Sequence, residues 1–278
     1  MSRTPAPRLA LHSGVLIPSL GMGTWQLSDD QSARTVSQAA KLGYRLIDTA
    51  SQYGNERGVG EGIRASGISR DEFFIISKLN GADQGYDRAL RGFDESLERL
   101  GLDRLDMYLI HWPMPRRGLY VDTWRAFIRL LNEGRVSAIG VSNFTSAHLD
   151  RLAAATGVLP AVDQVQLNPR VAQRALRRHA THHNVVVQSW GPLGQGGSLL
   201  EDPVVRRLAV HHGKSPGQIV LRWHLDENLI PIAKSANLGR LAQNIDVFDF
   251  HLTREELLQI AALDGRENPI DPDEFEQD

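Results

Sequence analysis

A single (β/α)₈ barrel spanning residues 1–278 is the fold that the sequence predicts, and three observations predict it. Eight short apolar runs recur along the chain, longer segments with apolar residues three and four apart lie between them, and no linker or composition break divides the 278 residues. Consecutive parallel strands need a helical crossover, so this alternation is the pattern of a parallel sheet. Periodicity alone leaves a doubly wound open sheet as the alternative.

The elements follow in order. LALHSGVLIP, with Ser-Gly between two apolar runs, predicts an N-terminal β-hairpin able to plug the bottom of a barrel. The strands are then SLGMGT, YRLIDTA, EFFIISKL, DMYLIHW, SAIGVSNF, AVDQVQL, NVVVQSW and NLIPIAKS. The helices that go with them are expected at 31–42, 56–65, 86–100, 121–132, 146–155, 172–182, 216–226 and 240–247. Two extra helices are expected at 203–212 and 254–263, the second opened by Thr253 with Glu256 three residues on, a capping-box pattern. GVGEG falls inside the amphipathic run 56–65 and follows a loop rather than a strand. Its glycines therefore read as helix-packing positions and not as a dinucleotide loop. The closing DPDEFEQD is acidic and broken by proline, and reads as a frayed tail.

Composition narrows the function classes. With 31 basic against 33 acidic residues and no basic stripe, nucleic acid is not an expected partner. The absence of cysteine excludes disulfides, thiolate nucleophiles and thiolate metal sites. MSRTPAPRLALHSG has no apolar leader core and no run is long enough to cross a bilayer, so a cytoplasmic monomer without a membrane partner is expected.

Active sites of (β/α)₈ barrels sit where the C-terminal ends of the strands converge. Here the second strand ends in Asp48, the third in Lys78 and the fourth in His111; the fifth runs into Ser142 and Asn143, the sixth holds Gln164, the seventh ends in Ser189 and Trp190, and the eighth in Lys234 and Ser235. One polar strand end is readily a solvated cap, whereas polarity at nearly all of them points to a site. Tyr53, five residues beyond Asp48, lies on a loop short enough to fold its phenol back over the mouth.

LIDTASQYGNE, IISKL, LIHWP, IGVSNF, QSWGPLGQG and AKSANLGRLAQN together resemble, in order, the signatures of the aldo-keto reductases. QSWGPLGQG and DVFDFHLT resemble most the bacterial branch that contains 2,5-diketo-D-gluconic acid reductases. The resemblance runs from the hairpin to Phe250 and implies NADPH-dependent reduction of carbonyls, with a catalytic tetrad of Asp48, Tyr53, Lys78 and His111. Tyr53 would be the proton donor, its pKa of about 10 lowered by Lys78, with Asp48 holding Lys78 charged. His111 would donate to the substrate oxygen.

The same resemblance assigns the cofactor site. It places Ser142, Asn143, Gln164 and Trp190 around the nicotinamide and the loop Gly191, Pro192, Leu193, Gly194, Gln195 and Gly196 at the pyrophosphate, with Thr24 and Trp25 as further cofactor contacts. Lys234, Ser235 and Arg240 match positions for the adenosine 2′-phosphate, with Gln243 and Asn244 near the adenine, which favours NADPH while leaving NADH possible. Ala233, Asn237 and Gln243 depart from the usual residues. Trp25, Gln52, Tyr53, Asn80, His111, Trp112 and the tail beyond Asp264 are the expected pocket walls, and Asn80 with its short loop implies an open, polar pocket for small dicarbonyls, sugar-derived ketones or aromatic aldehydes.

Two other readings belong to different classes. A metal-dependent barrel hydrolase would use the histidines of HATHH and HH, but these fall in or after helices and the strand ends lack clustered carboxylates, so no metal is expected. A cofactor-binding regulatory protein of the same fold with little turnover is opposed by the intact tetrad.

Overall fold

The computed structural model describes residues 5–277; residues 1–4 and Asp278, which belong to the leader and tail readings, lie outside the described residues. A hairpin opens the described chain, β1 (Arg8–Ala10) antiparallel to β2 (Leu16–Pro18). Eight parallel strands follow: β3 (Gly21–Gly23), β4 (Leu46–Asp48), β5 (Phe74–Leu79), β6 (Leu105–Ile110), β7 (Val136–Ser142), β8 (Val162–Gln166), β9 (Val186–Trp190) and β10 (Ile230–Lys234). They close into a barrel in which β10 pairs with β3, so the open-sheet alternative is excluded.

Period two divides each strand between two cores. Leu46, Phe74, Ile76, Met107, Leu109, Ala138, Val162, Ile230 and Ile232 point into the barrel, where Leu11 and Ile17 of the hairpin join them and seal the bottom. Met22, Ile47, Ile75, Tyr108, Ile110, Ile139, Val165 and Val187 point outward into the layer filled by the helices. Continuing the inward face one step towards the C-terminal ends replaces Leu46 by Asp48, Ile76 by Lys78, Leu109 by His111 and Val162 by Gln164. The polar mouth is thus the top layer of the same stack that forms the apolar plug.

The outer layer comprises α1 (Asp29–Leu42), α2 (Glu56–Ala65), α3 (Tyr86–Leu100), α4 (Tyr120–Asn132), α5 (Ser146–Thr156), α6 (Arg174–His182), α7 (Pro203–His212), α8 (Pro216–Asp226), α9 (Leu238–Asn244) and α10 (Arg254–Ala261). The 172–182 expectation starts two residues early, because Gln173 is left-handed (φ 44°) and an isolated bridge joins Asn168 to Val171 before the helix begins. Helix α9 starts and stops earlier than 240–247, since Asn237 accepts from the Arg240 N–H at 3.0 Å and caps it from a position upstream. The expected Thr253–Glu256 capping box is present on α10, which ends at Ala261 rather than 263. The segment read as frayed is ordered across the barrel mouth, with Phe275 stacked on Trp112 and Gln277 buried.

The glycines of GVGEG are packing positions. A Cβ at Gly58 would lie 2.0 Å from the Asp29 carbonyl oxygen, and one at Gly60 would lie 1.8 Å from that of Leu100. Helix α2 therefore nests against its neighbours with backbone touching backbone, which no side-chain rearrangement can relieve. Gly60→Ala should lower stability by roughly 1–3 kcal/mol through overpacking, despite the gain in helix propensity. Urea denaturation would show this as a lower midpoint at unchanged slope; a midpoint equal to wild type would mean that α2 shifts off its neighbours at no cost.

Candidate active site

Asp48, Lys78 and His111 project from the ends of adjacent strands, and the loop after β4 brings Tyr53 over them. That loop is a single 3₁₀ turn (Ser51–Tyr53) closed by left-handed Gly54. Its footing is a buried amide: Asn55 Nδ2 donates to the carbonyls of Thr24 (2.8 Å) and Leu27 (2.9 Å), while Thr49 Oγ1 donates to Asn55 Oδ1 at 3.0 Å. Ser51 Oγ donates to the Lys78 carbonyl at 3.0 Å, tying the turn to β5.

Lys78 is wholly buried and its three ammonium protons have three acceptors. Nζ lies 2.5 Å from Asp48 Oδ1, 3.0 Å from the Thr49 carbonyl and 3.4 Å from Tyr53 Oη. The second oxygen of Asp48 accepts from Gln164 Nε2 at 2.7 Å, and Gln164 Nε2 also donates to Gln188 Oε1 at 3.0 Å. His111 meets the Tyr53 ring edge-on, with ring centres 5.6 Å apart.

Burial and charge compete at each of these groups. Enclosure by protein raises the Tyr53 pKa; the Lys78 cation pulls against this, but the net direction is upward. Lys78 thus lowers the Tyr53 pKa as expected, but the cation offsets only part of a larger burial effect. Burial opposes the charge on Lys78, and the Asp48 carboxylate overcomes it, leaving the lysine pKa raised. His111 is pushed well below 6.5, first by burial and then by the nearby Lys78 charge, so its imidazole is neutral at pH 7. A neutral phenol, a fixed cation and a neutral imidazole thus surround one opening, an arrangement that can protonate an oxygen and stabilise negative charge on it.

The predicted cofactor residues lie at the C-terminal ends of β3, β7, β8, β9 and β10, in the loops beyond them and on α9. Ser142 Oγ donates to the Gln164 carbonyl at 2.7 Å. Asn143, held in the left-handed region at φ 62°, donates from Nδ2 to the His111 carbonyl at 3.1 Å and accepts the Trp190 indole N–H at 2.7 Å. Trp190 is thereby fixed in orientation at the end of β9. Thr24 is buried with its hydroxyl donating to the Asp48 carbonyl, whereas Trp25 is largely exposed. In the loop after β9, Gly191, Gly194, Gln195 and Gly196 all have positive φ, Pro192 is buried and Leu193 half-buried. Lys234, Arg240 and Gln243 are exposed, Ser235 and Asn244 buried.

Among the expected substrate contacts, Trp112 is buried, Asn80 half-buried and Gln52 exposed. The mouth is less open than Asn80 and its short loop imply, because the segment 270–277 crosses it. Ile270 N donates to Gln166 Oε1 at 2.9 Å, His148 Nε2 lies 3.0 Å from Asp273, and the Phe275 ring stacks on Trp112 at 3.9 Å between centres. Gln188 is a site residue that sequence reasoning missed, and Gln277 falls in the tail expected as a pocket wall without having been singled out. Gln188 lies on the inward face of β9, where period two could have found it; Gln277 carries no local signal. The histidine groups Asp150–His179–His183 and His211–His212–Glu256 lie on the outer helices, away from this mouth.

A family model described as "Aldo/keto reductase family" matches residues 19–265. The chain belongs to the aldo/keto reductase family. Within it, the protein is 44% identical over 277 residues to methylglyoxal reductase DkgA of Yersinia pestis, covering 99% of each chain. It is 45% identical over 271 residues to morphine 6-dehydrogenase of Pseudomonas putida, covering 93% of this chain and 92% of that one. A crystal structure of a Gox0644 mutant in complex with NADPH superposes with a TM-score of 0.93 at 44% identity, covering 98% of this aldo/keto reductase and 99% of the other.

One electrostatic consequence is measurable without any substrate. In Lys78→Met the burial that raises the Tyr53 pKa persists while the cation that opposes it is gone. The phenol should titrate higher than in wild type, read from ¹³C-labelled tyrosine signals across an alkaline series. A tyrosine titrating at or below the wild-type position would show that Lys78 does not face the phenol.

Proposed function

We propose that this aldo/keto reductase reduces aldehyde or ketone carbonyls to alcohols with NADPH, and that Tyr53 delivers the proton. The observation that carries this reading is the buried Lys78 ammonium, 2.5 Å from Asp48 Oδ1 and 3.4 Å from Tyr53 Oη. A carbonyl that receives hydride on carbon leaves negative charge on oxygen, which must be stabilised and then protonated. Tyr53 is protonated at neutral pH and so is ready to give its proton, and the Lys78 cation favours the phenolate that remains. His111 supplies a second donor to the same oxygen. Asp48 keeps Lys78 charged and aimed, and Gln164 holds the other carboxylate oxygen.

The cofactor side fits a phosphorylated dinucleotide. Among the described residues the side chains of Lys234 and Arg240 make no hydrogen bond or ion pair, and the backbone N–H groups of Gln195 and Gly196 have no protein acceptor. Unpaired cations beside a glycine loop with open N–H groups form a cradle for phosphates. Bound with its nicotinamide at Ser142, Asn143, Gln164 and Trp190, reduced NADPH would supply the hydride. The NADPH complex of Gox0644 supports this choice. Small dicarbonyls, sugar-derived ketones and aromatic aldehydes are the proposed substrates. The stacked rings of Trp112 and Phe275 suit planar or compact molecules, and the relatives named methylglyoxal reductase and morphine 6-dehydrogenase lend support to this reading.

Two measurements test the reading. Tyr53→Phe should cost roughly 10²–10⁴ in kcat on a panel of aldehydes while NADPH affinity, followed by tryptophan fluorescence, stays near wild type. Near wild-type turnover in the variant would remove Tyr53 from its role, and equal, negligible turnover in both proteins would favour a regulatory protein. Lys234→Ala and Arg240→Ala should each weaken NADPH by roughly ten- to a hundred-fold, the loss of one charge-assisted contact of about 1.5–3 kcal/mol, with little change for NADH. The comparison is made at fixed ionic strength because such contacts are partly screened. Equal weakening of both cofactors would mean that these cations do not read the 2′-phosphate.

A further inference from the structure

The side chain of Gln277 is buried to 1% exposure at the barrel mouth, and each of its polar atoms is engaged. Its Oε1 accepts the backbone N–H of Gly81 at 2.9 Å. Its Nε2 faces two acceptors, Gln52 Oε1 and His111 Nδ1, the latter at 3.0 Å. Arg117 clamps the segment from outside, donating to the Gly81 carbonyl at 3.2 Å and the Gln277 carbonyl at 3.5 Å.

The orientation of an amide is ordinarily ambiguous, since its oxygen and nitrogen look alike. Here it is determined by chemistry. A backbone N–H can only donate, so the atom facing Gly81 is the oxygen and the atom facing His111 is the NH₂. An amide nitrogen has no acceptor capacity, so His111 Nδ1 must receive the hydrogen bond through its lone pair.

We infer that Gln277 is a positioning residue that sets the tautomer of His111, keeping Nδ1 unprotonated and the ring proton on Nε2. A neutral imidazole carries one N–H, and the hydrogen bond made by one ring nitrogen decides where it sits. His111 is neutral for the reasons of burial and charge given above. Among the described residues no group hydrogen-bonds Nε2, so it is the nitrogen left to face a substrate oxygen. The wrong tautomer would turn a lone pair towards the oxygen that needs a donor. The catalytic consequence rests on the proposed role of His111 as that donor; the tautomer does not.

The test uses the full chain labelled with ¹⁵N-histidine, with and without NADP⁺, the His111 signals being assigned by their loss in His111→Asn. In wild type, Nδ1 should show the shift of an unprotonated nitrogen and Nε2 that of an N–H. Gln277→Glu keeps the length of the side chain but offers His111 only acceptors, so Nδ1 should become protonated, as the neutral tautomer or as imidazolium. Gln277→Met removes the donor without adding an acceptor, and the ratio of tautomers should relax by roughly three- to ten-fold, the worth of one hydrogen bond. A protonated Nδ1 in wild type, an unprotonated one in Gln277→Glu at alkaline pH where the new carboxyl is ionised, or an unchanged tautomer ratio in Gln277→Met overturns the inference. At alkaline pH, where no imidazolium remains, kcat of Gln277→Glu should fall roughly ten-fold, about 1.4 kcal/mol of lost donation. A reversed tautomer with unchanged kcat would uphold the role of Gln277 and instead remove His111 as the donor to substrate.

Discussion

A charged pair sits inside a barrel whose inward layers beneath it are apolar, and the arrangement around it answers to that constraint. Removing Lys78 and Asp48 from water costs several kcal/mol per ion, which their attraction recovers only if the geometry is close and the remaining valences are filled. They are filled: the Thr49 carbonyl and Tyr53 Oη take the other ammonium protons, and Gln164 occupies the second carboxylate oxygen. The pair is therefore a poor source of stability and a good source of fixed charge. Stability has to come from elsewhere in the stack.

It comes from the layers beneath and around. The inner cluster of Leu46, Ile76, Leu109 and Val162, plugged by Leu11 and Ile17, supports the ion pair from below. The outer cluster presses the helices against the same strands. Because inward positions recur at every second residue, the spacing between apolar layer and polar layer is set by the backbone itself. Asp48, Lys78 and His111 consequently each take the inward position next beyond an apolar one on neighbouring strands, Asp48 pairing with Ile76 and Lys78 with Leu109. Tyr53, on a loop, needs the separate anchorage that buried Asn55 provides.

Where local pattern determines structure, the sequence was readable. The eight strand runs stand out by composition, helices α2, α3, α7 and α8 have the boundaries that their apolar periods predict, and Asp48, Lys78 and His111 are recognisable because strand ends carry chemistry in this architecture. Legibility fails where tertiary contact overrides the local signal. The start of α6 depends on left-handed Gln173, which periodicity does not register. The net direction of the Tyr53 pKa depends on enclosure of the phenol; the sequence displays the neighbouring cation but not the burial that outweighs it. DPDEFEQD has the composition of a solvated tail, yet Phe275 and Gln277 find partners in the segments just beyond β5 and β6, far away in the chain.

The strength of that last attachment can be apportioned. Its ion pairs, His148 with Asp273 and Arg117 with Glu276, each have at least one substantially exposed partner, and such pairs are worth about 0–1 kcal/mol. His148 contributes less still near neutral pH, since burial lowers its pKa in spite of Asp273. The stack of Phe275 on Trp112 adds an aromatic contact of about 0.5–1.5 kcal/mol beyond the area it buries. Gln277 adds hydrogen bonds made where water is excluded, and losing one partner there would leave a buried polar group unsatisfied, at about 1–3 kcal/mol. The segment is thus held chiefly by the two side chains that also touch the mouth, Phe275 through Trp112 and Gln277 through His111. Order in the segment and order at His111 are therefore coupled: what fixes one fixes the other, while the strands hold Asp48 and Lys78 independently of both.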